Sequence, residues 1–282
     1  MTSRRHAAER RFRLLALGAV TLSAGLVAAL LASIALRGIA GLSLGFFTGA
    51  DSVDPARVGI WGALKGSLLV TGVTVGIAVP LGAAVALYQE EFAQPGRWTT
   101  ALELLINNLA AVPPILFGLL GLAVFLGALG LPRSAPIVAG LTLALMTAPA
   151  IVIAGRAAIR AVPQSVRDAA QGLGASPVQV AVHHVLPLAA PGILTGALLG
   201  LARALGETAP LLLIGMRAFI AAPPRDLSDP ATVLSVQIFL WSDAISPAFV
   251  AKTSAAILVL LALLLTLNAG AVLGRARLER RR

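Results

Sequence analysis

The chain has 282 residues, of which 58% are hydrophobic and only 12% are charged, and its mean hydropathy is +0.91. A soluble domain is about 45–50% apolar and about 25% charged, so this composition argues against a soluble enzyme and against a disordered or fibrous chain. Cysteine is absent, which excludes disulfides, thiolate metal sites and cysteine nucleophiles. The net charge of +10 comes largely from arginines at the chain ends and in one internal loop, a distribution that reports membrane orientation rather than nucleic-acid binding.

Six apolar stretches predict an all-α integral membrane protein with six transmembrane helices, because a helix needs about 20 apolar residues to cross a bilayer. The stretches are 14–36, 66–87, part of 104–131, part of 134–155, 191–216 and 253–274. Residues 230–242 are apolar but too few to cross, so we expect an interfacial or re-entrant piece there. The chain then divides into a basic tail (1–13), a first helix (14–36), an extracytoplasmic loop (37–65), a five-helix core (66–274) with a cytoplasmic loop at about 156–190, and a second basic tail (275–282).

Basic residues are distributed unequally between the two sides of this predicted bundle. Fourteen belong to the side of the two termini, namely Arg4, Arg5, Arg10, Arg11, Arg13, Arg97, Arg156, Arg160, Arg167, Arg275, Arg277, Arg280, Arg281 and Arg282. Seven belong to the other side, namely Arg37, Arg57, Lys65, Arg133, Arg217, Arg225 and Lys252. The positive-inside rule therefore predicts that both termini lie in the cytoplasm.

The loop between the predicted fourth and fifth spans contains signals for two short helices. Pro163 suits a first helical position, an apolar helical pattern follows it, and Gly174 is placed to end that helix. Ser176 and Pro177 predict a new N-cap and first turn. Pro187 is expected to interrupt the second helical segment.

The same loop contains Asp168-Ala169-Ala170, then Gly174, then Leu186-Pro187. These residues resemble EAA-x3-G-x9-I-x-LP, the cytoplasmic signature of the permeases of ATP-binding-cassette (ABC) importers, with Asp in place of Glu and His184 in place of the usual Ile. The resemblance implies a coupling helix, in which Asp168, Ala169, Ala170 and Gly174 form the part that docks in a groove of an ATPase subunit. An amphipathic loop without that role is the alternative.

Two charged residues, Arg203 and Glu207, lie within the predicted fifth span. Arg203 is close to its middle, where a charge costs about 2.5–3.5 kcal/mol on insertion scales, and Glu207 follows four residues later on the same helix face. An intramembrane charge favours a water-filled path, and a fixed salt bridge between helices is the alternative. Pro210 is expected to bend the helix beyond Thr208.

The chemistry of this pair favours an oxyanion ligand. A buried guanidinium can bind phosphate or sulfate through two parallel hydrogen bonds. Glu207 could accept the proton of hydrogenphosphate, whereas sulfate carries no proton at neutral pH and would be repelled by a bare carboxylate. The residues alone therefore indicate an oxyanion path. A preference for phosphate over sulfate is a hypothesis that depends on Glu207.

The stretch from Gly192 to Gly215, GILTGALLGLARALGETAPLLLIG, strongly resembles the phosphate importer permeases, in which R-A-x-G-E-T closes the fifth helix. Its continuation from Thr208 to Leu212 resembles the A-type (PstA) subunit, since the sister C-type subunit more often has Met after the Thr. Residues 107–125 and 226–242 also resemble that family. The resemblance runs from about residue 62 to the end, and the first 60 residues match mainly in topology.

This resemblance implies a type I ABC importer permease fold in the cytoplasmic membrane of a prokaryote. It also implies a heterodimer with a homologous C-type permease, two copies of a cytoplasmic ATPase subunit, and an extracytoplasmic phosphate-binding protein. Arg203, Glu207 and Thr208 map onto the family motif and would line the substrate pathway. ATP and Mg²⁺ would bind the partner ATPase, and no cofactor is expected on this chain.

Catalytic and metal-binding motifs are missing from the sequence. A P-loop needs G-x4-G-K-[ST], and the one Lys followed by Ser or Thr, Lys252-Thr253, is not preceded by glycine at the required positions. His183 and His184 are adjacent and cannot share a helix face as metal ligands at i and i+4 would, so we expect loop histidines and no metal site. We expect no enzymatic activity on this chain, with ATP hydrolysis on a separate subunit.

Other functions remain as alternatives. A permease for sulfate, molybdate or phosphonate would satisfy the same physical argument. A secondary transporter would need no coupling loop and usually has inverted repeats with broken helices. A membrane-embedded enzyme would need several polar residues at one depth, and one charged pair is a poor basis for that.

Overall fold

The computed structural model describes residues 2–216, 220 and 222–280. The other residues lie outside the described part, as do the side chains at 2–8, 10–11, 271, 274–275 and 277–280. Most side chains of the two predicted basic tails, together with Arg217, therefore lie outside it.

Regular structure in the described residues is helical throughout, which confirms the all-α prediction. The α-helices are α1 (Thr2–Gly41), α2 (Leu44–Thr48), α3 (Trp61–Leu87), α4 (Arg97–Ala111), α5 (Pro114–Leu120), α6 (Pro136–Arg160), α7 (Gln164–Gly172), α8 (Pro177–Gln179), α9 (Leu186–Gly206), α10 (Ala209–Leu213), α11 (Leu234–Ser242) and α12 (Phe249–Arg280). Three π-helical segments extend or precede them: Tyr88–Phe92, Gly121–Ala128 and Val180–Val185.

Five helical runs in the described chain are long and apolar enough to cross a membrane: Phe12–Gly41, Trp61–Phe92, Pro136–Arg160, Pro177–Gly206 and Phe249–Gly270. The predicted span within 104–131 is a bent pair, because Arg97–Ala111 and Pro114–Ala128 meet at 106°. The bend falls at Pro113 and Pro114, where the chain cannot donate the helical hydrogen bonds. With this pair taken as one span the count is six, as predicted.

The predicted fifth span differs from the structure at both ends. Its helical run begins at Pro177 and ends at Gly206, so the expected bounds of 191 and 216 are wrong. The expected interruption at Pro187 is also wrong, since the run passes through this residue. A π-helical turn, Val180–Val185, precedes the proline, and its longer hydrogen-bonded rings accommodate the missing N–H.

The cytoplasmic loop predicted at about 156–190 is largely helical, because α6 continues to Arg160 and α7 and α8 occupy most of the rest. His183 and His184 lie in the π-helical turn with exposed side chains, so the expectation of loop histidines is wrong. The apolar piece predicted at 230–242 contains α11, and residues 231–237 are all buried. That burial shows that the piece packs inside the bundle, and its position as an interfacial or a re-entrant segment stays a prediction.

Close helix packing places α3, α6 and α9 side by side in the centre of the bundle. A Cβ on Gly196 of α9 would overlap the methyl group of Ala154 on α6, and a Cβ on Gly140 of α6 would overlap Val73 on α3. Glycine at these two positions therefore lets the backbones approach closely. The N-terminal helix α1 is mostly exposed and meets α12 near Gly38 and Gly41.

Candidate functional site

The site begins with a break in the backbone between α9 and α10. A proline ring in a helix clashes with the carbonyl four residues earlier, which for Pro210 is the carbonyl of Gly206, the last residue of α9. Glu207 then takes an extended conformation, with φ −73° and ψ 133°, and Thr208 precedes the short helix α10. The expected bend beyond Thr208 therefore occurs earlier, before Glu207.

Arg203 and Glu207 lie on either side of this break. Arg203 is in the last turn of α9 rather than in the middle of a span, and Glu207 is not on the same α-helix. The Arg203 Nε lies 3.5 Å from the Glu207 Oε1, which is long for a charge-assisted hydrogen bond of about 2.7–2.9 Å. The Arg203 side chain is 57% exposed and that of Glu207 is 18% exposed. No other hydrogen bond of the Arg203 guanidinium is found among the described residues, so its remaining donors face outward.

The first turn of α11 holds the break in place. The Ser235 hydroxyl donates to the carbonyl of Glu207 at 2.9 Å, and the Thr208 hydroxyl lies 3.5 Å from the carbonyl of Ser235. The Leu234 N–H, which has no partner within its own helix, donates to Ser67 Oγ of α3 at 2.8 Å. Irregular backbone at membrane depth must be satisfied by the protein, and these bonds supply partners for it.

A small cavity of about 10 Å³ adjoins the break, between α3, α9 and α11. Hydroxyl-bearing residues on its wall include Ser67, Thr71, Thr74 and Ser235. This volume is about the room that one water molecule needs. Arg203, Glu207 and Thr208 do not line this cavity, and Ser235 connects its wall to the break through the carbonyl of Glu207.

The second predicted site, the coupling segment, forms α7 and the turn after it. Pro163 occupies the N-cap position, one residue before the predicted one, and α7 ends before Gly174, whose φ of +86° favours glycine. Ser176 caps the next helix through a capping box with Gln179, as predicted. The Gly174 turn and the Ser176 cap together fix the geometry of the connection between α7 and α8.

The four residues of the motif differ in their surroundings. Asp168 and Ala169 are exposed, and Asp168 Oδ1 accepts a hydrogen bond from Gln164 at 3.0 Å. Ala170 is buried against a cluster that includes Val180 and Val185. Leu173, beside Gly174, is 91% exposed. One face of α7 therefore packs on the bundle. The opposite face presents the Asp168 carboxylate, and the C-cap residue Leu173 presents an apolar side chain.

Charged residues missed by the sequence prediction connect the ends of the membrane helices to one another beside this segment. Glu90 accepts hydrogen bonds from Arg156 Nε at 2.6 Å and Arg160 Nε at 2.7 Å, and Arg156 also pairs with Glu103 at 3.0 Å. These arginines entered the prediction as orientation signals only. Two signals in the sequence could have indicated these pairs, and both lie on the predicted cytoplasmic side. One is the adjacent Glu90 and Glu91 after the predicted second span, and the other is Arg156 and Arg160, spaced i and i+4, at the end of the fourth.

Among the described residues, no group of three or more His, Asp or Glu side chains could hold a metal ion.

Comparisons with known proteins agree with this architecture. Residues 78–282 match the family model described as "Binding-protein-dependent transport system inner membrane component". The chain belongs to this family of ABC importer permeases. Residues 1–45 match a second model, a domain of unknown function (DUF3333). The family consists of membrane-spanning permease subunits rather than enzymes, and the chain is a multi-pass membrane protein.

Individual relatives give the same assignment. The chain is 39% identical over 156 residues to "Phosphate transport system permease protein PstA 1" of Mycobacterium tuberculosis, a match that covers 55% of this chain and 50% of the relative. The match thus spans about half the length of that relative. The chain is 30% identical over 241 residues to the "Probable ABC transporter permease protein YqgI" of Bacillus subtilis, covering 80% and 81%.

The fold is that of the type I ABC importer permeases. A bacterial alginate ABC transporter superposes with a TM-score of 0.67 at 17% identity, covering 97% of this chain and 96% of the matched chain. At that identity the likeness concerns the fold alone.

Proposed function

We propose that this permease carries inorganic phosphate into the cell as the A-type subunit of an ATP-driven importer. The observation that carries the proposal is the outward-facing Arg203 guanidinium at the α9–α10 break, beside Glu207. A guanidinium binds phosphate oxygens bidentately, and the nearby carboxylate favours an anion that brings its own proton. The PstA names among the relatives support the same substrate.

The exposure of Arg203 supports a path between two permease subunits rather than within this chain. A charge that faces lipid is costly, and a second bundle seated against the break would remove Arg203 from lipid while leaving room for water and substrate. We therefore propose a homologous C-type permease as the partner across this face. An extracytoplasmic phosphate-binding protein would deliver the substrate, and both termini would lie on the cytoplasmic side of a prokaryotic cytoplasmic membrane.

At the cytoplasmic end, α7 would dock in a groove of an ATPase subunit, with one of two ATPase copies bound to each permease. The exposed Asp168, Ala169 and Leu173 fit such a contact. The Leu173 side chain suits a hydrophobic groove, and the Asp168 carboxylate suits its polar rim. ATP and Mg²⁺ would bind the ATPase. Closure of the ATPase dimer would open the pathway between the two permeases to the extracytoplasmic side. ATP hydrolysis would return the permeases to the inward-facing state.

Phosphate uptake with Arg203→Gln tests the site. The measurement uses cells that lack their own high-affinity phosphate importer and express this chain with its partner subunits. We expect uptake to fall by roughly 100-fold, because a single charged contact to a desolvated anion contributes several kcal/mol. The matched control is Arg225→Gln, an exposed arginine in the segment that connects α10 to α11. Uptake by Arg203→Gln at the level of the control would refute the proposed path.

Glu207→Gln tests the preference for phosphate over sulfate. Removal of the carboxylate charge should lower phosphate uptake and allow competition by sulfate that the unaltered chain resists. Equal resistance to sulfate in both forms would remove Glu207 from the selectivity mechanism while leaving Arg203 in place.

A further inference from the structure

The ATPase-facing helix α7 is joined to the membrane helices by one buried ion pair. Arg167 of α7 contacts both carboxylate oxygens of Glu91, with Nη2 2.6 Å from Oε1 and Nε 3.2 Å from Oε2. Both side chains are largely buried, at 14% and 9% exposure. A fork of this kind fixes direction as well as distance.

Arg167 also binds the end of α6. Its Nη1 donates to the carbonyl of Val162 at 2.8 Å, and its Nη2 donates to the carbonyl of Ile159 at 3.1 Å. Carbonyls at a helix C-terminus lack helical partners, and the guanidinium adds a side-chain donor to these two carbonyls. One side chain thus connects α7 to the ends of two membrane helices, namely α6 and the run Trp61–Phe92.

The neighbouring residue Glu90 connects those two ends to each other. It pairs with Arg156 and Arg160 of α6, and Arg156 extends the cluster to Glu103 of α4. The ends of these helices are therefore cross-linked by charge, and Glu91, next to Glu90, is the residue that receives α7. A displacement of α7 would be passed to the whole group through Glu91.

Apolar contacts alone would transmit such a displacement poorly. Ala170 and Val166 also pack α7 on the bundle, but nonpolar contacts are non-directional and allow sliding. The Arg167–Glu91 fork and its two carbonyl bonds restrict rotation about the α7 axis. They are positioning contacts and do not touch substrate or nucleotide.

We infer that the Arg167–Glu91 pair is the link through which movement of the ATPase is converted into movement of the membrane helices. The inference rests on the proposed function, since it requires α7 to dock on an ATPase. Loss of the pair should uncouple ATP hydrolysis from phosphate import, whereas the two activities should each survive in part.

The test uses the complete importer in proteoliposomes and measures phosphate imported per ATP hydrolysed. Arg167→Gln and Glu91→Gln each leave one buried charge without its partner, so we expect the ratio to fall at least about tenfold. Arg167→Lys, which keeps the charge but loses the fork, should give an intermediate ratio. Arg97→Gln, an exposed arginine at the start of α4, is the control and should match the unaltered chain.

A double variant, Glu91→Gln with Arg167→Gln, separates positioning from simple stability. It buries no unpaired charge, so the complex should assemble, yet the ratio should stay low because the directional link is gone. Recovery of the normal ratio in the double variant, or an unchanged ratio in the single variants, overturns the inference.

A cross-linking experiment distinguishes a failure of this inference from a failure of the proposed function. The chain has no cysteine, so Gln171→Cys introduces a single thiol at an exposed position of α7 and leaves Leu173 in place. Its cross-linking to the ATPase supports docking. If it does not cross-link, both the docking proposal and the inference fall; if it cross-links while the ratio is unchanged in the single variants, the inference alone falls.

Discussion

The Ser235 hydroxyl donates a hydrogen bond to the backbone carbonyl of Glu207 across 2.9 Å. Ser235 is buried in α11, and Glu207 lies in the extended segment between α9 and α10. The bond therefore fixes the break that separates Arg203 from Thr208, and it does so from a helix that lies outside the predicted spans.

Ser235→Ala should weaken this break. The Glu207 carbonyl would lose a buried partner, which costs about 1–3 kcal/mol, and we expect lower phosphate uptake and a lower thermal unfolding midpoint. Ser235→Thr keeps the hydroxyl and should retain more of both. Ser242→Ala, at the exposed end of the same helix, is the control, and an equal effect of the two alanine variants would contradict this role for Ser235.

Gly196→Ala should destabilise the bundle. The new methyl group would overlap that of Ala154 on α6, and forced separation of two packed helices costs about 1–3 kcal/mol. Gly76→Ala offers the comparison, because nothing lies within 4 Å of a Cβ at that position. Thermal unfolding of the purified protein should show a lower midpoint for the first variant only; the prediction fails if Gly76→Ala lowers it as much.

Gln89→Leu should stabilise the chain. The Gln89 side chain is buried, and among the described residues neither its amide nitrogen nor its oxygen has a hydrogen-bond partner. Replacement of an unpaired buried amide by an apolar group of similar size should raise the free energy of unfolding by about 1 kcal/mol. Denaturation of the purified chain in detergent measures this, and a lower free energy of unfolding for the variant would contradict the prediction.

Leu173→Ser should weaken ATPase binding without loss of stability in this chain. Leu173 is 91% exposed, so the isolated permease loses no packing, whereas a leucine buried in a groove contributes about 1.5–3 kcal/mol. Co-purification of the ATPase with the permease measures the effect. Ile245→Ser, at another exposed apolar position, should have no effect, and equal retention of the ATPase by both variants would argue against docking through Leu173.

Local sequence signals predicted the helix ends correctly where a single residue decides the geometry. The Ser176 cap and the positive φ of Gly174 follow from the chemistry of those residues alone. The position of the break was also accessible in principle, because Pro210 disfavours the helix at Gly206, four residues earlier, rather than beyond Thr208.

Long-range partners could not be predicted in the same way. The Glu90–Arg156 and Ser235–Glu207 contacts join residues far apart in sequence, and their existence depends on how α3, α6 and α11 pack. In the sequence, the arginines at 156, 160 and 167 indicate only membrane orientation. Their acidic partners belong to another helix, so the ion pairs could not be predicted from local sequence. Likewise, hydropathy predicted a span over 104–131 but could not show the 106° bend within it.

The central claim is that the α9–α10 break lines a water-filled phosphate path, and thiol accessibility tests it most directly. Thr208→Cys in this cysteine-free chain places one thiol beside Glu207, and Thr142→Cys, which is fully buried on α6, is the control. In the assembled importer we predict that a charged, membrane-impermeant thiol reagent modifies Cys at 208 and that phosphate slows this reaction, while Cys at 142 does not react. A thiol at 208 that stays unmodified with and without ATP, or whose modification phosphate does not change, would contradict the account.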